Sequence, residues 1–162
     1  ELALGKQTRV MGVLNVTPDS FSDGSKFLAR DRAVAHALQM FEEGADIVDV
    51  GGESTRPGSD ARVPEDEELR RVMPVIEQVR RERPGALLSI DTYKAAVARA
   101  AVEAGAEIVN DVSAFRWDPA MAANVAELKC GAVLMHMRGR PEEWRSLPPE
   151  ENMVGRVMRD LL

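Results

Sequence analysis

The sequence predicts an α/β fold of the (β/α)8 TIM-barrel type, on three observations. Short apolar, β-branched runs recur at 9–15, 46–51, 86–91, 107–111 and 131–136, each of strand length and apolar enough to be covered on both faces. Helical patterns fill the intervals, so strand and helix alternate as parallel βα units do. Polar residues close the strands: Asn15, the Gly51-Gly52-Glu53 turn, Asp91, Asn110 with Asp111, and His136. Barrel active sites are assembled from those strand ends and the loops after them. A doubly wound sheet shares the alternation, but its dinucleotide-binding form needs a G-x-G-x-x-G turn after the first strand. Val13-Leu14-Asn15-Val16-Thr17-Pro18 does not supply one.

The first helix is expected over 30–43, with Val34, Leu38 and Phe41 on one face, and Gly44 just beyond its end. The second spans 65–83 and is polarised, since Glu65, Asp66, Glu67 and Glu68 open it and Arg80, Arg81 and Arg83 close it, complementing the helix dipole. Pro74 lies inside that pattern, where a bend is expected. An Ala-rich third helix covers 94–104 and stops at Gly105, and Asp118-Pro119 offers an N-cap and a first-turn proline for a fourth. No linker or low-complexity segment breaks the series, so residues 1–162 are one domain holding about the first five βα units.

Bulk properties narrow the function. A chain of 162 residues that is 44% hydrophobic and 30% charged can bury a core. Its net charge of -6 argues against nucleic acid and anionic lipid as partners, so an anionic ligand needs a local cluster. No apolar run approaches the ~20 residues of a membrane span, and residues 1–8 carry no signal-peptide core. Cys130 is the single cysteine and has no neighbours at metal-binding spacing. A cytoplasmic location is expected.

The first βα loop, Asn15-Val16-Thr17-Pro18-Asp19-Ser20-Phe21-Ser22-Asp23-Gly24, is long and polar. It reads either as a surface turn or as a ligand loop whose Asn15 carbonyl could bind a hard cation such as Mg2+ together with substrate phosphate. The second, Gly51-Gly52-Glu53-Ser54-Thr55-Arg56-Pro57-Gly58-Ser59, sets a hydroxyl beside a guanidinium, a pairing that binds phosphate or carboxylate. Its other reading is a Gly/Pro loop with a solvated arginine. Asp91 shares a strand face with Leu87 and Ser89, so its carboxylate can enter the pocket, accept hydrogen bonds from a heterocycle and stabilise positive charge. Alternatively, Asp91 or Thr92 caps the next helix. Asn110 faces with Ile108 and offers a donor and an acceptor, with Asp111 packed behind it. Met135 can contact a flat ring or pack in the core. His136 and His36 read as structural.

Taken together, the first loop, Asp49-Val50-Gly51-Gly52-Glu53-Ser54-Thr55-Arg56-Pro57-Gly58, Ser89-Ile90-Asp91-Thr92-Tyr93-Lys94 and Val109-Asn110-Asp111-Val112 resemble the dihydropteroate synthase family, in the same order and across the whole chain. The resemblance implies a barrel that joins 6-hydroxymethyl-7,8-dihydropterin diphosphate to p-aminobenzoate with release of diphosphate and help from Mg2+. It assigns Asn15 to the metal and diphosphate site, and Asp91, Asn110 and Met135 to the pterin pocket. Asp19 and Phe21, with Thr55, Arg56 and Pro57, would belong to loops closing over diphosphate and p-aminobenzoate, where sulfonamides compete. Asp91, Arg56 and Asp19 would be the catalytic groups, and a homodimer is common in the family.

A complete barrel needs about 250 residues. The family's later Asp-Pro-Gly, Ser-Arg-Lys and Arg-x-His segments have no counterpart here. The chain is therefore expected to be the N-terminal piece of a longer polypeptide and inactive alone. A pterin-dependent methyltransferase barrel and a noncatalytic pterin-binding half-barrel are the rival readings. The first has no evident use for the Thr55-Arg56-Pro57 loop or for a phosphate-metal site at Asn15.

Overall fold

The structure, a computed structural model, describes residues 5–17, 26–54 and 62–162. Its elements run β1 (Met11–Asn15), α1 (Lys26–Glu42), β2 (Ile47–Gly51), α2 (Glu65–Glu82), β3 (Leu88–Asp91), α3 (Ala95–Glu103), β4 (Ile108–Asp111), α4 (Met121–Leu128), β5 (Gly131–Leu134) and α5 (Met153–Leu161), with a 3-10 turn at Pro141–Glu143. All five strands are parallel and lie in sequence order, β1-β2-β3-β4-β5. A doubly wound sheet reverses its order at a switch point. No reversal occurs here, and α1 to α4 pack each on the next, which is the winding of a barrel wall.

Strand alternation divides the sheet into two faces. Leu14, Val48, Val50, Leu88, Ile90 and Val109 are almost fully buried and join Val72, Val75, Ile76, Val79, Val97 and Ala101 from the helices in one core. Burial of these side chains against α1 to α4 is the main force holding the layers together. The opposite face carries Val13 and Val133, which are 57% and 41% exposed.

Gly44 and Gly105 end α1 and α3 with φ of +107° and +113°, a conformation open to residues without Cβ. Helix α2 continues through Pro74 with its acidic first turn and its basic last turn in place.

Two expectations need correction. Asp118 is not the N-cap of α4, which begins at Met121. Its Oδ1 accepts from Ala120 N at 2.9 Å, and its Oδ2 accepts from Ala95 N at 2.8 Å, so it satisfies an otherwise orphaned amide of α3. The fifth strand ends at Leu134 rather than 136, because the last bond to β4 is Met135 N to Asp111 O, 3.1 Å. Helix α5 was not among the expected elements; it is short, with its apolar Val154 and Met158 exposed.

Candidate active site

Register places the polar strand ends in one row. Asn15 pairs with Gly51, Gly51 with Asp91, Asp91 with Asn110, and Asn110 with Val133. A second row lies beneath: Val13, Asp49, Ser89, Ile108 and Gly131. Because partners in register point to the same side, Asn15, Asp91 and Asn110 converge on the face away from the helices.

Gly51 keeps that row open. A methyl group there would lie 3.4 Å from Asp91 Oδ2 and 3.7 Å from Asn15 Oδ1, so the missing side chain is the space between the two oxygens. No hydrogen bond from a described residue engages the Asp91 carboxylate. Burial pushes Asp91 up to about 7, helped by the negative charges of Asp49, Glu68, Asp111 and Glu53. Near neutrality it can take or release a proton, and a ligand donating to it or carrying positive charge would draw it towards the carboxylate.

Neither Asp91 nor Asp111 is an ordinary helix cap. Thr92 Oγ1 accepts from Lys94 N at 3.2 Å in a local turn, and the N-cap of α3 is Lys94, so neither Asp91 nor Thr92 caps that helix. Asp111 is fully buried on the other side of β4, as alternation requires, and holds the next loop through Ser113 N at 2.7 Å and Phe115 N at 3.1 Å. That loop needs holding, since Ala114 and Phe115 have φ of +52° and +63°.

Sequence reasoning missed two groups. The first is Asp49, 2% exposed, whose Oδ2 accepts from Asn110 Nδ2 at 2.8 Å. Burial raises its pKa, against stabilisation by Ser89 and Asn110. The available signal was a carboxylate inside the apolar run Ile47-Val48-Asp49-Val50-Gly51. The second is a charge cluster at the root of the second βα loop. Lys94 Nζ lies 2.5 Å from Glu53 Oε2 and also binds Glu68, while Tyr93 OH donates to Glu53 Oε1 at 3.0 Å. Arg71 Nη1 donates to Gly52 O at 2.9 Å, and a Cβ on Gly52 would lie 2.9 Å from Glu68 Cγ and Val72 Cγ1. The chain leaving β2 is thereby pinned before it reaches Ser54.

Met135 lies two residues beyond Val133 and borders a cavity of about 590 Å³ with Met137, Trp144, Leu147 and Met153; Asn15, Asp91 and Asn110 are not in its lining. His136 Nε2 lies 2.9 Å from Asp160 Oδ2, which also binds Arg116 and Arg156, so this histidine ties α5 to the strand end. His36 is an exposed residue of α1. Asp19, Phe21, Thr55, Arg56 and Pro57 lie outside the described residues.

Among the described residues there is no group of three or more His, Cys, Asp or Glu side chains able to hold a metal. The donor set at the row is an amide oxygen, Asn15 Oδ1, with the Asp91 carboxylate across the Gly51 gap. This fits Mg2+, which is commonly held by one or two protein oxygens plus substrate phosphate and water. Also among the described residues, no helix is long and apolar enough to cross a membrane.

The singly wound parallel sheet and the polar row at its strand ends define a barrel-type protein with an acidic, partly buried group of side chains where barrels bind their ligands. A profile of the pterin binding enzyme family matches residues 11–162, and the chain belongs to that family. It is 54% identical over 141 residues to dihydropteroate synthase of Bacillus subtilis, covering 87% of this chain and 48% of that relative. It superposes on Xanthomonas albilineans dihydropteroate synthase with 4-aminobenzoic acid at a TM-score of 0.83 and 49% identity, covering 96% of this chain and 54% of the other. On the same organism's enzyme in complex with 7,8-dihydropteroate the TM-score is 0.79 at 46% identity, with 96% and 53% covered. The chain thus spans about half the length of the relatives it matches.

Proposed function

We propose that a polypeptide carrying this segment is a dihydropteroate synthase, condensing 6-hydroxymethyl-7,8-dihydropterin diphosphate with p-aminobenzoate to 7,8-dihydropteroate and diphosphate. The observation that carries the reading is the row Asn15–Gly51–Asp91–Asn110, which sets an amide oxygen, an open space, a carboxylate with a pKa about 7 and a second amide side by side. The relatives named above, and the 4-aminobenzoic acid and 7,8-dihydropteroate held by the two solved structures, support the same substrates.

The chemistry follows from these groups. Bond cleavage between the pterin methylene and diphosphate leaves positive charge delocalised over the ring, and the Asp91 carboxylate stabilises that charge. Asn110 hydrogen-bonds the edge of the heterocycle. Mg2+, when bound, would neutralise charge on the departing diphosphate next to Asn15. Thr55, Arg56 and Asp19 would complete the diphosphate and p-aminobenzoate sites by resemblance. A cytoplasmic location, a homodimer and sensitivity to sulfonamides belong to this proposal.

The test is diphosphate release by the full-length gene product given the pterin diphosphate and Mg2+, with and without p-aminobenzoate. Release that depends on the arylamine and yields dihydropteroate supports the synthase; pterin binding without product overturns it in favour of a binding module.

A further inference from the structure

Asp49 has no assigned part in the site, yet its position is unusual. It sits one layer below the row of Asn15, Asp91 and Asn110, is 2% exposed, and reaches diagonally past β3 to accept from Asn110 Nδ2 at 2.8 Å. Its other oxygen, Oδ1, is buried without a hydrogen-bond partner among the described residues. The neighbouring Ser89 hydroxyl is near enough to stabilise the carboxylate but lacks hydrogen-bonding geometry. A charged group has thus been buried inside the wall, and the side-chain hydrogen bond it accepts among the described residues comes from a residue of the row above.

A primary amide is nearly symmetric in shape and can present either NH2 or C=O to a ligand. An ionised carboxylate only accepts hydrogen bonds, so it draws the NH2 group of Asn110 downwards and leaves the carbonyl oxygen facing the pocket. The position then accepts a hydrogen bond from a ring N–H or amino group and disfavours a ring acceptor. We propose that Asp49 is a positioning residue that locks the Asn110 amide with its oxygen towards the substrate, so that the site selects a hydrogen-bond donor on the heterocycle. The proposal rests on the pterin-binding reading above.

It is tested on the full-length gene product with pterin diphosphate, p-aminobenzoate and Mg2+, after the wild type has been shown to bind the pterin and release diphosphate. A wild type that does neither refutes the synthase reading itself, separately from the role of Asp49. In D49N the amide below can donate as well as accept, so the orientation of Asn110 is no longer imposed. KM for the pterin substrate is expected to rise about tenfold, the worth of one well-made hydrogen bond, with KM for p-aminobenzoate and the melting temperature nearly unchanged. In an N110A background, D49N should add nothing further. The swap D49N/N110D again places an amide donor against a carboxylate and leaves a carboxylate oxygen towards the ring; it should recover KM to within about threefold of wild type and exceed N110D alone. Additive losses in the N110A background, or a swap no better than N110D, overturn the proposal. Should D49N alone fail to accumulate as folded protein, the swap against N110D decides it.

Discussion

Replacing Lys94 by Met tests whether the charge cluster behind the second βα loop is held by one ammonium. Lys94 is 15% exposed in its side chain and lies between Glu53, 13% exposed, and Glu68, 1% exposed. Methionine keeps most of the volume, so the change is electrostatic. Removing one partner of a buried pair costs about 3–5 kcal/mol, because the other charge is left unpaired in a poor solvent. Burial already raises the Glu68 pKa against the opposing pull of Lys94, so without the lysine Glu68 takes up a proton, and the cost stays near the lower figure, about 3 kcal/mol. For a domain of this size that is roughly 6–12 °C in melting temperature.

The pH dependence gives the sign. A carboxyl whose folded pKa lies above its unfolded one holds its proton more tightly when folded, so stability is greatest below the unfolded value and is lost as pH rises through the folded value. K94M removes the group that opposed the rise, so its deficit against the wild type should grow from pH 5.5 to pH 8.5. Adding E68Q, which removes the charge and keeps the shape, should recover more than half of the loss. Thermal unfolding of the full-length product at both pH values is the assay. A K94M deficit under about 1 kcal/mol at pH 8.5, or no recovery by E68Q, refutes the reasoning.

Two adjacent glycines should part company. G52A forces a Cβ to 2.9 Å from Glu68 Cγ and Val72 Cγ1 and should cost about 1–3 kcal/mol of stability in urea unfolding, whereas G51A makes only ordinary contacts at 3.4 Å and 3.7 Å. The latter should leave unfolding unchanged and raise KM for the pterin diphosphate, since it fills the gap between Asn15 and Asp91. Asp91, raised to about 7, should give kcat/KM an acid limb near that pH, rising as the carboxylate forms; D91N should flatten the limb, and an unaltered limb in D91N would assign it to another group. D91A should lower kcat at pH 8 by about 100-fold or more through loss of charge stabilisation, with near-normal kcat in single-turnover experiments counting against that role.

The fold was legible because strand burial and strand-end polarity were written in the same short segments. Ile47-Val48-Asp49-Val50-Gly51 is apolar enough to be read as a covered strand, and alternation then put Asp91 and Asn110 on the correct face without any structure. Legibility failed where a contact joins residues far apart in sequence. Asp118 was read as a local cap because Asp-Pro is a local signal, yet one of its oxygens serves Ala95, 23 residues earlier. Lys94 and Glu68 each looked like parts of helix termini, and only the packing of α2 against α3 brings them together. The end of β5 was read too long because the apolar run through Met135 meets a polar residue only at His136, while the last bond to β4 is Met135 N to Asp111 O.

The acidic row also explains why the helices, rather than the site, must stabilise this segment. Asp49 and Asp91 lie on one face with raised pKa values, and Glu68 with its own lies close enough to push Asp91 higher. Like charges in a desolvated setting oppose folding, and of these three carboxylates Glu68 is the one with a lysine against it among the described residues. The helix-covered face offsets that cost with side chains that are almost wholly buried, from Val48 and Ile90 in the sheet to Val75 and Val97 in the helices. A ligand that donates hydrogen bonds or carries positive charge relieves the same repulsion, so binding and folding are linked through Asp91. The repulsion sits at the position where substrate charge would develop, and D91N should therefore be more stable at pH 8 and a poorer binder, with the two effects measured on one preparation.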